Sequence, residues 1–269
     1  MRAMMNTLIL SISAIAALVP AAVLPFRHAP ARDTVFWLML AVATAGPALW
    51  IWNSLGTGWH TGLASALWIT VFASLALFAL LAFSMREVWR LSPLLMPYLT
   101  IIGVLATVWL HQSARPLDGL VPSAWVQFHI LVSVLTYGLL TIGAVAGLAV
   151  VLQEYALKRK RPSKLTRLLP SVADGERIQV TLLTAGAVIL GLGLLSGMAA
   201  QFYQTGQLIE FSHKIALSIV TFLIIVVLVA IHIRTGIRGR RAARYFLVAY
   251  LLITLAYPGV KFVTDVILT

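Results

Sequence analysis

Hydrophobic positions run along this chain in eight long blocks, at about residues 4–24, 34–54, 62–84, 91–110, 124–152, 178–200, 213–233 and 243–267, separated by short polar stretches. A helix needs roughly 20 apolar residues to cross about 30 Å of hydrocarbon, and several blocks reach that length. None shows the roughly ten-residue alternation of a membrane β-strand. The pattern therefore predicts an all-α fold, a polytopic transmembrane helical bundle of about eight spans, making one integral membrane domain of residues 1–269. The first block, "MRAMMNTLILSISAIAALVPAAVLPFR", also resembles a secretory signal, with a basic start and small residues near "PAAV". A retained helix is expected, because its apolar stretch is long for a signal. Cleavage, leaving seven spans, is the alternative.

Composition agrees with that pattern. The chain is 61% hydrophobic and only 10% charged, with a mean hydropathy of +0.96, too apolar for one soluble core. A net charge of +12 would suggest nucleic acid in a soluble domain. Here the bases sit between the apolar blocks, so lipid bilayer is the expected surrounding and no nucleic acid is expected. Sixteen of the twenty Lys and Arg fall in alternate connections: Arg27 and Arg32; Arg86 and Arg90; Lys158, Arg159, Lys160, Arg161, Lys164, Arg167 and Arg177; Arg234, Arg238, Arg240, Arg241 and Arg244. The positive-inside rule puts those connections in the cytoplasm and both termini outside. The largest of them, "KRKRPSKLTRLLPSVADGER", is expected to be a basic, headgroup-facing loop. Prolines in "PLLMPYL" and "AYPGVKF" are expected at kinks, and most tryptophans in an interfacial belt.

Cysteine is absent, which excludes disulfides, thiolate metal sites and cysteine nucleophiles. The chain has eight Asp and Glu, and no helix offers the His and carboxylate spacing of H-E-x-x-H. No combination of serine, histidine and acidic residue reads as a catalytic triad, and no catalytic residue is assigned. The six histidines are the remaining chemistry. His60, His111, His129 and His213 fall near the outer face, and His28 and His232 near the inner one. His213 and His232 are 19 residues apart, about 28 Å along a helix, so they cannot share one ligand. Two neutral imidazoles from different helices can ligate haem iron, with the porphyrin in an apolar cleft. His129, one turn inside "SAWVQFHILVSVLTYGLL", and His213 lie at similar depth from the outer face. An interfacial anchor is the competing reading for each histidine, above all for His28, His60 and His111.

The order "WVQFHILVSVLTYGLL", a basic loop ending in "LPSV", then "FSHKIALSIVTFLIIVVLVAIHIRTGIRGRRAA" and "YLLITLAYPGVKFVTDVIL" resembles the CcsA/YpjD-type cytochrome c assembly family. The resemblance covers about residues 120–268 and is nearest to the short YpjD-like inner-membrane branch. It implies haem as cofactor, with His129 matching an external haem ligand and His232, in "AIHIRTG", matching a ligand within the membrane. Haem-handling members also carry a tryptophan-rich W-G-x-x-W-x-W-D loop, where this chain reads "SGMAAQFYQTGQLIEFSHK" without tryptophan. They have a further external histidine near the end, whereas none follows His232 here. His213 is the expected substitute. The partner of His232 is expected from a second membrane subunit or cytochrome assembly factor, or from His28.

The resemblance thus implies an inner-membrane (plasma membrane), multi-pass protein that binds or handles haem, a carrier or accessory and not a complete synthase. A scaffold or regulatory partner of a transporter, with the fold retained and haem chemistry lost, is the alternative. A secondary transporter is disfavoured because the helix centres lack charged residues.

Overall fold

A computed structural model of the chain describes residues 2–27, 31–56, 60–110, 115–116, 123–206, 213–235, 240–259 and 262–263. The architecture is all-helical: α1 (Arg2–Arg27), α2 (Thr34–Gly56), α3 (Leu63–Ser84), α4 (Ser92–Val108), α5 (Ser123–Arg159), α6 (Lys164–Leu168), α7 (Val172–Thr205), α8 (His213–Thr235) and α9 (Arg240–Thr254). A 3₁₀ turn at Val88–Leu91 leads into α4, and a π-helical turn at Leu255–Gly259, containing Pro258, continues α9. The extended pieces are two-residue strands, β1 (His60–Thr61) and β2 (Arg115–Pro116), paired antiparallel.

Seven helices among the described residues are long and apolar enough to cross a membrane. The eighth apolar block begins as α9 and continues through its π turn to Gly259, most of residues 260–269 lying outside the described residues. Two boundaries differ from the expected ones. The fifth block is a 37-residue helix reaching Arg159, and the sixth a 34-residue helix beginning at Val172. Helical hydrogen bonding continues past the apolar stretch at the basic end, so the expected basic loop shrinks to a short connection around α6. Hydropathy marks what lies in lipid and is silent about a helix that outruns it.

That connection is pinned by side chains that supply donors to otherwise orphaned carbonyls. Gln153 Nε2 donates to Thr166 O at 2.8 Å and Pro170 O at 3.0 Å. Arg90 Nε donates to Leu168 O at 3.4 Å. Ser163 caps α6 in a reciprocal box with Thr166, and Ser171 Oγ accepts from Asp174 N at 3.2 Å to start α7. Arg32, at the start of α2, donates to Phe83 O near the end of α3 at 3.0 Å. The basic connections thus meet at one end of the bundle.

Helices α1 to α4 pack together, and α3 leans on α5, which in turn packs against α7 and α9; α8 rests on α7 and α9. Leu, Ile and Val on the outer faces of α1, α2 and α8 are exposed, as a lipid-facing surface requires. Inside, Trp50 and Trp68 are buried and stacked with ring centroids 5.8 Å apart. Trp50 Nε1 donates to Ser11 Oγ at 2.8 Å. These two tryptophans are core residues and not part of the expected belt, whereas Trp52 is 80% exposed. Thr70, Thr100, Thr107, Thr136 and Thr221 each donate to the carbonyl four residues back, whereas Ser74 Oγ and Trp68 Nε1 are buried without a hydrogen-bond partner.

The α5–α7 pair positions the outer histidine. A Cβ added at Gly175, Gly186, Gly193 or Gly197 of α7 would touch Val150, Leu140, Val132 and His129 of α5 in turn, and one at Gly147 would touch Gln179. Steps forward of 11, 7 and 4 residues on α7 are met by steps back of 10, 8 and 3 on α5. The two helices are antiparallel, and missing side chains on one face let them approach closely.

Candidate functional site

His129 sits in the first turns of α5 and points across to α7. Its Nδ1 lies 2.8 Å from Ser196 Oγ. The same hydroxyl lies 3.0 Å from Gly193 O, to which it can donate, so it bridges the imidazole and the α7 backbone. Ser196 is 4% exposed, and burial shields this bond from competing water.

Trp125, one turn before His129, donates from Nε1 to the Ser196 carbonyl at 3.1 Å. Gly197, next along α7, leaves room for the ring: an added Cβ would stand 3.1 Å from His129 Cε1. Phe128 is tilted against Trp125 with centroids 6.3 Å apart, and the two rings are about half exposed. Helix α7 ends a few residues on, at Gly206, whose φ of 72° is the left-handed cap that glycine adopts without a Cβ penalty. Gly206 N donates to Phe202 O at 2.9 Å.

The other expected ligands lie apart from this pair. His213 is the first residue of α8, the helix packed on α7 and α9. His232 is half-buried in the last turn of the same helix, close to the basic end, so His129 and His232 belong to opposite ends of the bundle. His28 and His111 lie outside the described residues, as do residues 207–212 of the stretch that replaces the tryptophan-rich loop. Among the described residues, no group of three or more His, Asp or Glu is arranged to hold a metal ion.

The arrangement sets one imidazole against a glycine, with two flanking aromatic rings. Sequence reasoning named His129 as a candidate and did not anticipate its contacts with Ser196 and Gly197 or the bond from Trp125 to the Ser196 carbonyl. The run "LGLGLLSGMAA" held the signal, since its small residues recur at helical spacing on one face.

Fold and site together define a polytopic helical membrane protein whose outer end presents an oriented histidine between two long antiparallel helices. The chain belongs to the cytochrome c assembly protein family, whose model matches residues 48–268. It is 49% identical over 98% of its length, and over the whole of the relative, to the "uncharacterized 28.8 kDa protein in nifR3-like 5′ region" of Azospirillum brasilense. It is 30% identical to the inner membrane protein YpjD of Escherichia coli K12, over 66% of each chain. Similarity extends at 22% identity to the cytochrome c biogenesis protein CcsA of Chlamydomonas reinhardtii, over 57% of this chain and 42% of that one.

Proposed function

We propose that the protein binds haem through His129 and serves cytochrome c assembly in the bacterial inner membrane, as a carrier or accessory and not as a complete synthase. The observation that carries this reading is the His129 Nδ1–Ser196 Oγ bond of 2.8 Å, which ties the imidazole to α7 through one ring nitrogen. Family membership supplies the context, and the name of the E. coli relative motivates the inner membrane. The missing tryptophan-rich loop is the reason for accessory rather than synthase.

Bound haem would supply a redox-active iron, which His129 and its partners would hold through neutral imidazoles. The chain's own residues orient the ring from α7 and flank it with Trp125 and Phe128. His213 is the proposed second outer ligand. His232 is the proposed inner ligand, partnered by a second membrane subunit or assembly factor.

Purification in mild detergent, followed by absorption spectra with and without added haem, tests the reading. A Soret band that weakens in His129→Ala is expected, with spectral changes in His213→Ala and His232→Ala. No band, or one indifferent to all three substitutions, overturns it in favour of a scaffold that keeps the fold without haem.

A further inference from the structure

We infer that Ser196 is a positioning residue for the proposed haem ligand His129, setting its tautomer and tuning how strongly Nε2 donates electrons. This rests on the reading of His129 as a ligand. A histidine ligand behaves according to what its other nitrogen does: an acceptor opposite Nδ1–H holds the ring plane and raises the basicity of Nε2.

Ser196 has the properties that role requires. Its Oγ lies 3.0 Å from Gly193 O and 2.8 Å from His129 Nδ1, and with its proton directed to Gly193 O its acceptor side faces the imidazole. It is buried, and α5 grips it twice, through His129 at the side chain and Trp125 at the carbonyl. These contacts sit one helical turn apart on α5 and converge on one residue of α7, which fixes the rotation of one helix against the other. Gly197 lets the ring lie close against α7. The acceptor is a neutral hydroxyl and not a carboxylate, so it polarises the imidazole moderately without drawing the proton away.

The test uses the full chain in detergent with ¹⁵N-labelled histidine, the His129 signals being assigned by their loss in His129→Ala. In the haem-free protein, His129 is expected as the Nδ1–H tautomer. Ser196→Ala should shift it towards the Nε2–H form, and Ser196→Thr, which keeps the hydroxyl, should restore it. In the haem-loaded protein, Ser196→Ala should raise the midpoint potential and weaken haem binding by about 10–100-fold. An unchanged tautomer in haem-free Ser196→Ala overturns the inference. If the tautomer responds but no haem binds, the positioning by Ser196 stands and the haem reading falls. If haem binds through His129 while Ser196→Ala moves neither tautomer nor potential, the haem reading stands and the role of Ser196 falls.

Discussion

The hydroxyls of Tyr98 on α4 and Tyr250 on α9 lie 2.7 Å apart, joining helices more than 150 residues distant in sequence. Thr141 Oγ1, which donates to Tyr137 O at 2.7 Å, lies 3.0 Å from the Tyr250 hydroxyl, and that hydroxyl lies 3.5 Å from the one of Tyr137. The Tyr137 hydroxyl is 3.2 Å from Thr254 Oγ1, which donates to Tyr250 O at 2.8 Å. The hydroxyls thus partner one another, as a polar cluster within the spans demands.

Replacing Tyr250 by Phe removes the hydroxyl that bonds both Tyr98 and Thr141, within an apolar span. The expected cost is about 1–2 kcal/mol, read from unfolding in a detergent–SDS titration. In a double-mutant cycle, Tyr98→Phe should then cost less than it does alone. Full additivity would mean that the two hydroxyls do not couple.

Gly46 lets α2 approach α1: an added Cβ would stand 2.9 Å from Ala17 Cβ and 3.0 Å from Ala14 Cα. The second contact is backbone, which cannot swing aside. Gly46→Ala should destabilise the chain by about 1–3 kcal/mol, and Gly46→Val by more, in the same titration. A neutral Gly46→Ala would show that the two helices are not this close.

Lys160 ends α5 with φ of 51°, left-handed for a residue that has a Cβ. Arg161 N donates to Ala156 O at 3.2 Å and Lys160 N to Leu157 O at 3.1 Å, the paired bonds of a Schellman cap. Lys160→Gly relieves the crowded Cβ and should stabilise the protein by about 1 kcal/mol. Lys160→Val should do the reverse. Thermal unfolding of the two variants side by side would reveal the sign.

Gln153→Leu removes the donor shared by the Thr166 and Pro170 carbonyls. The connection between α5 and α7 should loosen, with faster amide exchange over residues 163–171 and quicker proteolysis after its basic residues. Exchange at the α5–α7 seam near Gly186 should stay slow, which would separate a local effect from global unfolding.

Much of this architecture is readable from the chain alone, for reasons that are local. The length of an apolar run fixes whether it spans, and the placement of Arg and Lys between runs fixes sidedness. Both are properties of contiguous segments, which is why α1 to α4 and α8 fall close to their expected limits. Where a helix continues beyond lipid, as α5 does to Arg159, hydropathy no longer follows the structure. Trp50 and Trp68 show the same limit: their positions near span ends suit an interfacial belt, yet both are buried and stacked.

By itself, then, the sequence determined an all-helical membrane protein with its cations gathered at one end, and singled out His129, because cost in lipid makes an imidazole conspicuous. Only the tertiary structure decided what holds that imidazole. Ser196 lies 67 positions away and looks in sequence like any hydroxyl that bonds its own helix. The same is true of the Tyr98–Tyr250 pair. Register between antiparallel helices is set by which small residues on one face allow close approach, a pairwise property of two surfaces that neither strand of sequence carries alone.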